Sequence, residues 1–113
     1  MASPFSYVTT ASTNATSVSS KPSMLTGWVM VNTATTTRWA RLYNRSAAPV
    51  PASDAALIDL RFVIPAGQIV QAQLGANAAW FSAGLAFDIT AAAPDTDATA
   101  TAVGDVTLNL FYR

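Results

Sequence analysis

Leu25-Thr-Gly-Trp-Val-Met-Val-Asn32 and, after a polar break that begins at Asn32, Arg38-Trp-Ala-Arg-Leu-Tyr-Asn44 form the stretch that decides how the rest of the chain is read. Leu25, Trp28, Val29, Met30 and Val31 make a β-prone apolar run, and the second run interleaves polar and apolar residues. Two such runs so close together predict a β-hairpin. In the second run, side chains two apart share a face, so Trp39, Arg41, Tyr43 and Arg45 line one side and Arg38, Ala40, Leu42 and Asn44 the other. If Ala40 and Leu42 face inward, Trp39 and Tyr43 form an outward ladder of aromatics and arginines, the composition of a contact surface. The alternative places Trp39 and Tyr43 in the core, with the arginine stems extended past them to solvent; the sequence leaves both open.

Strand signals continue outward from this stretch in both directions. Leu60, Phe62 and Ile64 alternate with Asp59, Arg61 and Val63, and Pro65-Ala-Gly67 is a turn. Gln68 to Leu74 resumes the extended pattern, which ends at Gly75-Ala-Asn77. Ala78 to Gly84 is an aromatic-plus-small segment in which Gly84 marks a bulge or a close backbone approach. Leu85, Phe87 and Ile89 carry a two-residue period that outweighs the helix preference of the surrounding alanines. Val106, Leu108 and Leu110 close the chain as an apolar strand. Ser46 to Ala56, with Pro49, Pro51 and Asp54, reads as a long loop able to cross between sheets.

Upstream, Ser6 to Ser23 is dominated by Ser, Thr and Ala and is punctuated by Pro22. Residues 1–17 are expected to be an N-terminal arm or a polar edge strand, and residues 18–113 a single domain. Six strong strand signals, one or two weaker ones and no convincing helix select an all-β antiparallel sandwich or barrel.

Composition narrows the function. Charged residues make up 11% of the 113 positions, six basic against six acidic. A surface this poor in charge favours a subunit covered by neighbours over a free monomer. A nucleic-acid partner would require a basic excess that the chain lacks. Asp59, Arg61 and Gln68 interrupt the richest apolar region, so no membrane helix is expected, and the first residues carry no signal-peptide pattern. Asn14-Ala-Thr16 and Asn44-Arg-Ser46 match the glycosylation tripeptide without further support.

Catalysis has little to work with. The chain has no histidine, cysteine or glutamate, and its one lysine is Lys21. Asp59 and Asp88 on neighbouring strands could form a carboxylate pair, but the expected reading is two residues on a solvent face. Asp95 and Asp97 lack the further ligands of a calcium loop. No enzyme, cofactor or metal site is expected. The candidates that remain are contact residues: Trp39, Arg41, Tyr43 and Arg45, with Trp28 and Trp80 as core or subunit-contact aromatics.

The two quoted segments, with Ile64-Pro-Ala-Gly67, Phe81-Ser-Ala-Gly84 leading into Leu85 to Thr90, the Asp95-Thr-Asp97 loop and Leu108-Asn-Leu-Phe-Tyr112, resemble a group of small virion proteins of tailed bacteriophages. The likeness runs from about Val18 to Arg113. It implies a jelly-roll of about eight strands and a capsid decoration or cement protein, typically trimeric. Such a protein sits on the outer surface of the head and binds the major capsid protein. Similar units occur in tails and fibres, so the alternative is a carbohydrate-binding or host-attachment module that uses Trp39 and Tyr43.

Overall fold

The computed structural model describes residues 3 to 113. Among these residues nine strands form two antiparallel sheets: β1 Ser3–Val8, β2 Thr16–Ser19, β3 Ser23–Asn32, β4 Arg38–Asn44, β5 Ile58–Ile64, β6 Ile69–Gln73, β7 Ala79–Phe81, β8 Leu85–Thr90 and β9 Val106–Tyr112. One sheet, here sheet A, has the order β1-β9-β3-β6, with β7 also paired to β3; sheet B has the order β2-β8-β4-β5. The helical content among the described residues is two three-residue 3-10 turns, Ala55–Leu57 and Gly75–Asn77. Neither approaches the length of a membrane span.

β6 and β7 occupy successive stretches of one lane beside β3. Counted as one position, they reduce the topology to eight: first pairs with last, second with seventh, third with sixth and fourth with fifth. That nesting is a jelly-roll sandwich, the expected fold class.

The predicted hairpin does not form. β3 takes β9 and β6 as its partners, whereas β4 takes β8 and β5. The Asn32 side chain shows why. Its Nδ2 donates to the Thr36 carbonyl at 3.0 Å and to the Ile64 carbonyl at 2.8 Å, and its Oδ1 accepts from the Ala34 amide at 2.9 Å. This buried Asx turn swings the chain from sheet A to sheet B instead of folding it back in plane. The Ser46 to Ala56 loop is also not the sheet crossing expected of it, because β4 and β5 are neighbours in sheet B.

The core lies between the sheets. Leu25, Met30, Leu108 and Leu110 of sheet A meet Ala40, Leu42, Phe87 and Ile89 of sheet B, all fully buried. Phe5 and Tyr7 of β1 pack edge-on against Phe87, with ring centroids 5.9 and 5.1 Å away, and Trp28 packs edge-on against Phe62 at 4.9 Å. The first strand therefore contributes aromatic side chains to the core.

Asn14 pins the connection between β1 and β2. It holds a left-handed φ of 61°, which Asn tolerates better than most residues. Its Oδ1 accepts from the Tyr7 hydroxyl and the Thr10 amide, and its Nδ2 donates to the Ile89 carbonyl and to Thr101 Oγ1. Buried and fully engaged, this side chain is no glycan acceptor in the folded chain. Gly84 is a close backbone approach, as its sequence context predicts. A Cβ there would lie 2.6 Å from the Ser19 carbonyl oxygen, 2.7 Å from that of Arg45 and 2.8 Å from Ser46 Cα.

Candidate interaction surface

Alternation about the buried Ala40 and Leu42 turns Trp39, Arg41 and Tyr43 to the outer face of sheet B. Arg41 and Tyr43 are not exposed there, because two loops cover them. Tyr43 packs with Ile58, Ala86 and Ala55 beneath the loop that joins β4 to β5, and Arg41 lies beneath the loop that follows β8. Its Nη1 donates to Thr90 Oγ1 at 2.7 Å, and its Nη2 donates to the carbonyls of Ala92, Ala93 and Pro94 at 3.0, 3.1 and 2.6 Å. One guanidinium thus latches a whole loop onto the sheet, and it is 1% exposed.

The anion facing this guanidinium is Asp88, which is fully buried. Its Oδ1 stands 3.5 Å from Arg41 Nη1 with no hydrogen-bond partner, and its Oδ2 accepts from the Tyr43 hydroxyl at 2.7 Å. Burial raises the Asp88 carboxyl above the usual range, opposed by the Tyr43 hydrogen bond and the Arg41 charge. Burial likewise pushes the Tyr43 phenol well above its ordinary value, and Asp88 adds to the shift. The expected solvent-face pair of Asp59 and Asp88 is therefore corrected. Asp59 is exposed on β5, Asp88 is buried on β8, and β4 runs between them.

Farther out, Arg61 clasps Asp95 with bonds of 2.7 to 3.0 Å, and that contact holds the Asp95 carboxyl below its usual range. Burial works to raise Asp97, but hydrogen bonds from the Thr99 and Thr90 hydroxyls and from the backbone at Thr99 and Ala92 outweigh it and leave that carboxyl lowered. Both acids of the loop thus tie the loop to itself and to the sheet.

The proposed contact residues therefore scatter. Arg41 and Tyr43 are brought together through Asp88, in the interior. Trp39 is half-buried beside a cleft of about 200 Å³ lined by Arg61, Val63, Ala93 and Asp95. Arg45 donates to the Ala48 carbonyl at 2.6 Å and pairs with Asp54 inside the β4–β5 loop. Trp28 faces the core, and Trp80 is 58% exposed on β7.

Sheet A presents the opposite picture. Alternation about Leu108, Leu110 and Met30, carried through the register, places three cross-strand rows on its outer face: Val8, Thr107, Val31 and Ile69; then Ser6, Asn109, Val29 and Gln71; then Pro4, Phe111, Gly27 and Gln73. No charged residue occurs among these twelve. Val8, Ile69 and Phe111 are among the exposed large apolar side chains of the molecule. Between Phe111 and Gln73 lie two shallow grooves of about 350 Å³ each, one running toward Gln71 and the other bordered by Gly75 and Arg113. Among the described residues no loop is hydrogen-bonded across these rows as the 91–101 loop is across sheet B. Sequence reading missed this face because its parts lie on four strands that are distant along the chain. The available signal was the absence of charge from β1, β3, β6 and β9 together.

No family model matches the chain, and neither does any curated protein. Among solved structures, the coat protein dimer of tobacco streak virus is similar at 7% identity, covering 95% of this chain and 83% of that one, with a TM-score of 0.32. A C2 crystal form of that coat protein gives 9%, 95%, 85% and 0.34. The fold is defined by the strand pairings of the chain itself, and nothing about function follows from so loose a superposition.

Proposed function

We propose that the chain is a structural subunit of a viral particle, and within that class a decoration or cement protein on the outer surface of a tailed-phage head. It acts by contact alone, with the major capsid protein and with copies of itself, and the sequence resemblance favours a trimer. The observation that carries the reading is the asymmetry of the sandwich. Sheet B wears its own loops, whereas the outer face of sheet A is broad, uncharged and bare. Four strands about 4.8 Å apart and five residues of about 3.3 Å each give that face a projected area of roughly 300 Å². A stable pair in solution buries about 800 Å² per partner, so contacts on this face gain strength from repetition over a closed shell.

Burial of Tyr43 removes half of the aromatic pair on which the carbohydrate-binding alternative relied. Co-sedimentation with capsids that lack the chain tests the proposal. Phe111→Lys, on the bare face, should reduce co-sedimentation, whereas Val63→Lys, on sheet B, should leave it unchanged. Trp39→Ala should leave it unchanged as well. Loss of glycan retention on Trp39→Ala, with capsid binding absent from the parent chain, would favour attachment instead.

A further inference from the structure

A sheet edge is a row of unpaired backbone groups, and folded proteins blunt it with charge, proline, a bulge or brevity. Three of the four main edges here carry such a device. β5 presents Asp59 and Arg61, and its pairing is bulged opposite Leu42 and Tyr43. β2 has four residues and a bulge. In β1, the Thr9 amide donates to the Val106 carbonyl, so the odd-numbered residues bond β9 and Pro4, Ser6 and Val8 face outward. Pro4 has no N–H, and the missing donor falls on the free side.

β6 has none of these devices. Ile69-Val-Gln-Ala-Gln73 contains no charge and no proline, and its register with β3 is unbroken. The Asn32 amide donates to the Gln68 carbonyl at 3.0 Å and the Leu74 amide to the Thr26 carbonyl at 2.8 Å. In an antiparallel ladder these two bonds fix the parity: Gln68, Val70, Ala72 and Leu74 bond β3, and Ile69, Gln71 and Gln73 direct their N–H and C=O groups away from the sheet.

We propose that this edge pairs with the same edge of a second copy, antiparallel, about a twofold axis through Gln71. Gln71 then faces its own counterpart, and Ile69 faces Gln73 of the other copy on either side. Each of these three residue pairs exchanges two backbone bonds, so every outward group of the strand is satisfied. The Gln71 side-chain amide, with both donor and acceptor, complements its own copy across the axis. A strand that carries a charge at these positions would find no counter-charge, which favours a second copy over an unrelated segment. The product is a continuous sheet in which two bare faces become one. The contact follows from backbone parity whether or not the particle is a phage head, and in a trimer it would join one trimer to the next.

Two measurements on the full chain test this. In amide hydrogen exchange across a dilution series, Ile69, Gln71 and Gln73 should gain protection as concentration rises, while Val70 and Ala72 stay protected throughout. The chain has no cysteine, so Gln71→Cys introduces one thiol per copy. Opposed Cα atoms about 5.5 Å apart lie within disulfide range, so oxidised glutathione should produce a covalent dimer. Ile69→Cys should not, because its own counterpart lies about 13 Å farther along the pair. Gln71→Lys, which opposes two like charges, should weaken association roughly fivefold or more. Outward amides that exchange freely at every concentration would overturn the proposal, and so would equal cross-linking of Gln71→Cys and Ile69→Cys. Protection without any dimer of Gln71→Cys would also overturn it, since the axis would then lie elsewhere.

Discussion

Replacing Arg41 with methionine keeps an unbranched stem of similar reach and deletes the guanidinium. Four bonds go with it, to Thr90 Oγ1 and to the carbonyls of Ala92, Ala93 and Pro94. Asp88 is left as a fully buried carboxylate with no cation beside it. Breaking a buried pair from one side costs about 3–5 kcal/mol, a large share of the roughly 5–15 kcal/mol that holds a domain of this size together. With an unfolding entropy near 2.1 cal/mol/K per residue, the melting temperature should fall by about 13–21 °C. The sign of the pH dependence follows from Asp88. Its carboxyl is already raised by burial, and loss of Arg41 removes an opposing influence and raises it further. A raised acid costs stability above its folded-state value and is relieved below it, so the deficit relative to the parent should shrink as pH falls from neutrality toward the ordinary carboxylate range. Adding Asp88→Asn to the variant should recover much of the loss at neutral pH. Urea unfolding followed by circular dichroism across that pH range measures all three. A loss under about 1 kcal/mol, or a deficit that grows in acid, would refute the role given to the latch.

Other consequences are as direct. Gly84→Ala forces a Cβ into three backbone atoms and should cost about 2–3 kcal/mol in urea unfolding. Asn14→Ala strands the Tyr7 hydroxyl and the Ile89 carbonyl and should cost about 2–3 kcal/mol by the same measurement. Ala52 holds a left-handed φ of 69°, so Ala52→Gly should raise stability by about 1 kcal/mol. Deleting residues 1–17 removes the rings of Phe5 and Tyr7 from Phe87 and uncovers β9, so thermal denaturation should occur well below the parent temperature; an unchanged transition would mean that β1 is dispensable.

The strands were legible because their signals are local. Leu60, Phe62 and Ile64, or Val106, Leu108 and Leu110, declare a half-buried strand by period alone. Pairing was not, because it is set at long range. The short gap between β3 and β4 looks like a hairpin turn, and only the bonds of Asn32 to Thr36 and Ile64 show that the chain changes sheets there. Asp88 was misread for a related reason. Alternation assigns it to the outer face of its strand correctly, but whether an outer face meets solvent depends on loops, and all six residues of β8 are buried. The same loops bury Arg41 and Tyr43, whose placement alternation alone leaves open. Trp80 alone of the aromatic candidates stands mostly exposed. The bare face of sheet A needed the register of four strands before its lack of charge became a property of one surface.

Electron cryomicroscopy of particles assembled with and without the chain bears most directly on the central claim. The sandwich should appear on the outside of the shell only when the chain is present. The rows through Val29, Asn109 and Phe111 should be packed against protein, and the loops over Arg41 and Tyr43 should face solvent. Particles that never carry the chain, or a subunit seated through those loops with sheet A open to solvent, would contradict it.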